Sequence, residues 1–245
     1  MLERANRNVA MAIVDRHGLK LASFDAACDM TDEERGGVEV RFVHSPSLVS
    51  YHFFSAQVLD ISSNFVQAFR HDVFWPLSKA PLTSLFLGAN DLTVLPDLSA
   101  LKHLRVLHLN NNKLTQLGTS LQGLGDLRVL NLRSNNLSVL EEDTFAGTAR
   151  LERLSLSNNA LVDAALAPRP FANLKQLTFL GLFGNRLSNA DVLVNAIAGL
   201  DALDELIICA NPIAADLSIL RPQIVAILPR LRWLDWVLLV ECLEA

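Results

Sequence analysis

Histidine is the side chain best suited to acid–base work near neutral pH, and this 245-residue sequence carries six, His17, His44, His52, His71, His103 and His108. Their spacing supports no catalytic arrangement. No HExxH pair places two imidazoles on one helix face around zinc, and the three cysteines, Cys28, Cys209 and Cys242, form no CxxC. There is no phosphate-cradling GxxxxGK[ST] loop, no GxGxxG after a strand and no GxSxG elbow. Catalysis needs convergent acid, base and nucleophile groups. The sequence predicts no enzyme, no catalytic residue, no metal or other cofactor and no small-molecule substrate.

The polar residue that does recur at a regular interval is asparagine. Asn64, Asn90, Asn112, Asn135, Asn159, Asn185 and Asn211 are separated by 26, 22, 23, 24, 26 and 26 residues. An amide side chain both donates and accepts hydrogen bonds. That makes it suited to a buried turn whose backbone N–H and C=O groups have no sheet partner. Such a role is structural, and all seven asparagines are read as a ladder that satisfies successive turns.

The elements that would position this ladder are visible around it. "LRVLHLNNNKL" (104–114) has the form LxxLxLxxNxL, repeated as "LTSLFLGANDL" (82–92), "LRVLNLRSNNL" (127–137), "LERLSLSNNAL" (151–161), "LTFLGLFGNRL" (177–187) and "LDELIICANPI" (203–213). A degenerate first copy, "AQVLDISSNFV" (56–66), has alanine in place of the leading leucine. Repeats of 20–29 residues with this pattern mark a solenoid in which each unit stacks on the last. The sequence resembles the leucine-rich repeat (LRR) family over about 55–235. The expected fold is an α/β solenoid with a curved parallel sheet on its concave face. The convex face should carry helical segments in the later 26-residue repeats and extended or 3₁₀ segments in the 22- and 23-residue ones.

Composition is consistent with that reading. Half the residues are hydrophobic, as a continuous stacked core requires, and the formal charge is −5. A net negative charge argues against general nucleic-acid binding, which draws on excess Lys and Arg. Nucleic acid is expected only indirectly, within an assembly. The apolar run Val9–Val14 is too short for a signal peptide, and no stretch approaches the ~20 apolar residues of a membrane span. A presequence built on Arg4, Arg7 and Arg16 is opposed by Glu3 and Asp15. The cysteines suggest no pairing scheme, which favours a reducing, cytoplasmic setting.

Three regions are expected. Residues 1–54 form a non-repeat N-terminal cap or degenerate first repeats, with β-prone runs on either side of Asp15–Gly18 and at 38–45. Residues 55–218 hold about seven repeats, and 219–245 a C-terminal cap and tail. Phe145 and Phe171 should lie under the convex wall, and Val192, Ile197 and Leu200 fall at helical spacing with Ser188 as the cap. The end of the chain is similar to the cap of intracellular LRR proteins at Asn211–Pro212, Arg221, Val225, Leu228–Pro229, Leu231, Leu234 and Asp235. Leu220 stands where that cap has tyrosine, and Trp236 where glycine is common. Proteins with this cap act in intracellular protein or ribonucleoprotein assembly, so the resemblance implies a non-enzymatic scaffold.

Alternation along each strand assigns the concave side chains. Between the strand leucines stand Asp60, Phe86, His108, Asn131, Ser155, Gly181 and Ile207; after the second come Ser62, Gly88, Asn110, Arg133, Ser157, Phe183 and Cys209. Phe179, Phe183, Ile207 and Cys209 form an apolar group at the C-terminal end, the kind of exposed cluster that marks an interaction site, unless residues 236–245 fold over it. Arg133, His108 and Phe86 extend the expected contact surface. Arg105, Arg128, Arg133 and Arg153 line up in the middle repeats, where Glu152 and Asp126 can neutralise them. The expected function is binding a partner protein's helix or domain in the concave groove. The alternative is a fixed structural subunit of a large intracellular assembly, such as an axonemal, ribosomal or spliceosomal particle.

Overall fold

The computed structural model describes residues 13–15, 58–63, 66–69, 82–215 and 217–239. They build one ten-stranded sheet whose spatial order follows the chain. The strands are β1 (Ile13–Asp15), β2 (Val58–Asp60), β3 (Ser84–Phe86), β4 (Val106–His108), β5 (Val129–Asn131), β6 (Arg153–Ser155), β7 (Phe179–Gly181), β8 (Glu205–Ile207), β9 (Trp233–Leu234) and β10 (Val237–Leu238). Every neighbouring pair is parallel except β9–β10, which closes the sheet as an antiparallel hairpin. This is the leucine-rich repeat solenoid expected from the pattern.

The register is that of the sequence repeat. Leu85, Leu107, Leu130, Leu154, Leu180, Leu206 and Leu234 stand opposite one another from β3 to β9 and are at most 1% exposed. A one-residue slip would turn this column out to solvent, so burial locks the alignment. β1 joins the same sheet in register, Ile13 opposite Val58. The run at 38–45 lies outside the described residues, as does Asn64.

Each described asparagine of the ladder makes the same set of bonds. Asn112 accepts from Leu92 N at 3.0 Å and donates to Leu87 O and Leu109 O, both at 3.0 Å. Asn135 accepts from Leu114 N and donates to Leu109 O and Leu132 O; Asn90, Asn159, Asn185 and Asn211 follow suit. The residue before each asparagine takes left-handed backbone: Ala89, Asn111, Ser134, Asn158, Gly184 and Ala210 have φ between 53° and 65°. That kink turns the chain out of the strand and aims the amide into the wall.

The convex side varies with repeat length. Its helices are α1 (Asp163–Leu166) and α2 (Ala190–Ile197), both in 26-residue repeats, while the three shorter repeats carry turns. Phe145 and Phe171 are fully buried and stacked, with ring centroids 6.0 Å apart. The helix cap differs from the expectation. Asn189, not Ser188, caps α2 by accepting from Val192 N at 3.2 Å. Ser188 is engaged across the repeat boundary, its hydroxyl donating to Asp163 Oδ2 at 2.6 Å. Ile197 and Leu200 are buried with Leu193 and Ala196, and Val192 packs only partly against them.

At the end of the sheet a third helix, α3 (Leu217–Ile227), covers the last repeat through Leu220 and Ile224, and spans the boundary expected at 219. The chain then enters β9 and reverses through Asp235 and Trp236, with φ of 50° and 64°. Two successive left-handed residues are what a two-residue type I′ hairpin turn demands, and Trp236 adopts this conformation without being glycine.

Candidate functional site

The parallel register sets out the concave face as columns of side chains at strand spacing, ~4.8 Å. Ser84, Val106, Val129, Arg153, Phe179, Glu205 and Trp233 form one column, and Phe86, His108, Asn131, Ser155, Gly181 and Ile207 the next. The expected contact residues do not form one cluster. They divide into an N-terminal pair, a polar centre and an aromatic C-terminal corner.

Phe86 and His108 make the N-terminal pair, with centroids 4.9 Å apart in an edge-on arrangement. Burial lowers the imidazole pKa, with the negative charge of Asp60 opposing that effect. His108 is therefore a neutral ring that packs on Phe86 at physiological pH. Three strand spacings, roughly 14 Å, separate it from Phe179.

The centre is hydroxyl- and amide-rich. Asn131 Oδ1 accepts from Arg133 N at 3.1 Å, and its Nδ2 donates to Asn110 Oδ1 at 3.5 Å. The arginines alongside are not a uniform basic strip. Arg128 pairs with Glu152 at 2.6 Å. Asp126 is taken by Arg150 at 2.5 Å, with His103 3.9 Å away, and so neutralises none of the strip arginines. Among the described residues, Arg105, Arg133 and Arg153 have no ion-pair partner.

The C-terminal corner carries Phe179, Phe183, Trp233 and Trp236. Phe179 lies across Gly181, where a Cβ would stand 3.3 Å from its ring. The Arg153 guanidinium stacks 4.2 Å from the same ring's centroid. Phe183 packs against Trp236 with centroids 6.1 Å apart. Trp236 remains 60% exposed and Trp233 38%. Ile207, expected among the exposed contacts, faces the concave side in register with Gly181 but is only 7% exposed. It supports the corner from below. Cys209 is half-buried, and its thiol is pushed up to about 11 by desolvation and the negative charge of Asp235.

The two tryptophans are what reading the sequence missed. Trp233 falls in "LRWLD", a further LxxL copy whose third position belongs to the Arg153–Phe179–Glu205 column, so its signal was present. Trp236 belongs to the tail considered as a cover for the corner. Its ring does lean on Phe183, and it adds aromatic surface there. Among the described residues no group of three or more His, Cys, Asp or Glu side chains could hold a metal ion. No helix among them is long and apolar enough to cross a membrane.

A stacked parallel sheet presenting an aromatic and polar concave face, with its turns closed by an asparagine ladder, defines a leucine-rich repeat solenoid. The leucine rich repeat family pattern matches residues 80–137 and 126–187. A structure of an LRR protein from Leptospira interrogans superimposes with a TM-score of 0.60 at 29% identity, over 74% of this chain and 43% of that one. Residues 80–187 of this chain are leucine-rich repeats, and its fold is the leucine-rich repeat solenoid. The chain is also similar to Toll-like receptor 3 of Homo sapiens, 31% identical over 137 residues, and of Boselaphus tragocamelus, 31% over 139 residues. Each match takes in 54% of this chain and 15% of the receptor, so the chain corresponds to a small part of those relatives. A crystal structure of a TLR13–ssRNA13 complex shares the fold with a TM-score of 0.52 at 26% identity, over 64% of this chain and 25% of that one. Leucine-rich repeat domains generally mediate protein–protein interaction.

Proposed function

We propose that this chain is a non-enzymatic scaffold that binds a protein partner at the C-terminal end of its concave face. The observation that carries this reading is the aromatic corner of Phe179, Phe183, Trp233 and Trp236. Binding energy in protein interfaces is concentrated in a few large side chains, with tryptophan prominent among them. Such a surface left in water is costly unless it is used. A reducing, intracellular setting belongs to the same proposal, supported by the free thiol of Cys209.

The alternative, a fixed subunit of a large assembly, is favoured by apolar exposure away from the groove: Val94 is 68% and Ile219 66% exposed. Affinity capture with quantitative mass spectrometry tests both readings. It should compare wild type with Phe179→Ser and Trp236→Gly, after thermal unfolding has shown that each variant is folded. Selective loss of one or two proteins supports the concave corner. A whole particle recovered equally with all three chains supports the fixed subunit and removes the corner.

A further inference from the structure

Arg128 and Arg150 are neutralised in the middle repeats, while Arg105, Arg133 and Arg153 have no ion-pair partner among the described residues. Arg128 pairs with Glu152 and Arg150 with Asp126, and Arg232 forms a two-pronged pair with Asp204 at the far end. Arg153 is held in a different way. Its guanidinium rests on the Phe179 ring 4.2 Å from the centroid, and the ring rests on the backbone of Gly181. Stacking fixes the plane of the guanidinium and leaves its edge donors open. A pre-set fork of this kind matches a carboxylate in two-point fashion. Arg133 is also free of an ion pair, exposed at the other end of the tract formed by Asn131, Ser155 and Ser157. Arg133 and Arg153 thus place unpaired positive charge on either side of that tract, on one face of a chain whose formal charge is −5.

We infer that the partner segment bound by this face is acidic, placing carboxylates on Arg153 and Arg133 and an apolar anchor against Phe179, Phe183 and Trp236. This deepens the concave-scaffold reading and rests on it. The aromatic corner alone would accept any apolar side chain. The arginines restrict it to a segment with negative charge beside the anchor. Electrostatic complementarity of this type acts chiefly on partner choice and association rate.

The test uses the full chain and a displayed library of random 16-residue peptides. Selection against wild type is expected to enrich sequences in which Asp or Glu flanks Trp, Phe or Leu, with binding that weakens as salt is raised. Peptides so selected should bind Arg153→Gln at least tenfold more weakly. An Arg133→Glu/Arg153→Glu chain, shown by thermal unfolding to be folded, should enrich Lys- and Arg-bearing sequences instead. Apolar peptides without acidic excess, bound equally by wild type and Arg153→Gln yet lost in Phe179→Ser, would overturn the acidic-partner inference and leave the scaffold reading standing. No enrichment at all, or binding indifferent to Phe179→Ser, would remove both. Tight binding of a 20-nucleotide single-stranded RNA lost in Arg133→Gln and Arg153→Gln would also overturn the inference, with a nucleic acid in place of the peptide.

Discussion

The backbone amide of Ile208 donates to a side-chain oxygen, Asp235 Oδ1, at 2.6 Å. In earlier repeats the equivalent amide donates to a main-chain carbonyl of the next strand, as Leu182 does to Ile207 at 2.7 Å. The hairpin turn begins at residue 235, so the chain leaves the sheet direction there. The carboxylate substitutes for the missing carbonyl and takes the Cys209 amide as well, at 2.8 Å. Asp235→Ala strands two part-buried amides, each costing ~1–3 kcal/mol. Urea unfolding is expected to show a loss of about 2–4 kcal/mol, and Asp235→Asn, which keeps an acceptor oxygen, less than half of that. Equal losses in the two variants would deny the carboxylate this capping role.

The same carboxylate controls the neighbouring thiol. Ionising Cys209 would bury part of a second negative charge beside Asp235, which, with desolvation, holds its pKa at about 11. In a Cys28→Ser/Cys242→Ser chain, iodoacetamide labelling is expected to rise with pH to a midpoint near 11 and to be slow at neutral pH, because the thiolate is the nucleophile. Asp235→Asn should move the midpoint down. A wild-type midpoint at 9.0, the ordinary value, would refute the coupling.

Two convex glycines make a matched pair. A Cβ on Gly147 would stand 2.8 Å from Gln122 Cα and from Leu121 O, backbone atoms of the preceding repeat. Around Gly125 nothing lies within 4 Å. Gly147→Ala therefore wedges adjacent repeats apart, and a loss of ~1–3 kcal/mol is typical of overpacking. Gly125→Ala should be near neutral. Thermal unfolding of the two variants side by side decides the matter, and similar melting temperatures would contradict it.

Left-handed backbone at non-glycine residues gives a prediction of opposite sign. Ala210 and Trp236 have φ of 56° and 64°, where an L-residue is disfavoured by ~1–2 kcal/mol relative to glycine. Glycine's larger unfolded-state entropy offsets part of this. Ala210→Gly should leave stability unchanged or raise it by up to about 1 kcal/mol. Trp236→Gly relieves the turn but loses the ring packed on Phe183, so its melting temperature should change little while partner binding falls. A large destabilisation by Trp236→Gly would make the ring a structural element.

Acid should loosen the α1–α2 flank. Burial pushes the Asp163 carboxyl up, but bonds from the Ser188 hydroxyl and the amides of Ser188 and Asn189 outweigh it and hold its pKa below 3.8. A carboxylate depressed in the folded state stabilises above its unfolded pKa and loses that contribution as pH falls through the folded value. Stability measured from pH 6 down to 2 should fall less steeply in Asp163→Asn than in wild type, at roughly constant ionic strength. Parallel curves would exclude Asp163 as a contributor.

The parts of this structure that are periodic were legible because one alignment fixes them all. Once Asn112 and Leu107 are matched to Asn135 and Leu130, strand position, facing and burial follow for every repeat. Phe145 and Phe171 could be placed under the convex wall for the same reason. What escaped depends on contacts between repeats or on the ends. Ser188 looks like a helix cap in its own segment, yet Asp163, 25 residues earlier, claims its hydroxyl. Ile207 reads as exposed from its column, but its neighbour there is Gly181 and a hairpin follows, which together leave it nearly buried. Trp233 sits in an eighth copy too short to show the full LxxLxLxxNxL form, and the pairing of Asp126 with Arg150 rather than with a strip arginine needed side-chain geometry.

The asparagine ladder also sets an order in time. Each amide finishes the turn of the repeat before its own: Asn112 holds Leu92 N and Leu87 O, and Asn135 holds Leu114 N and Leu109 O. A chain emerging from the ribosome can therefore complete no repeat until the next asparagine is out, so structure trails synthesis by one unit. After Asn211 the side chain that serves the next turn is Asp235, which takes the amides of Ile208 and Cys209. Until Asp235 is made, those two amides of the nascent solenoid stand without that partner.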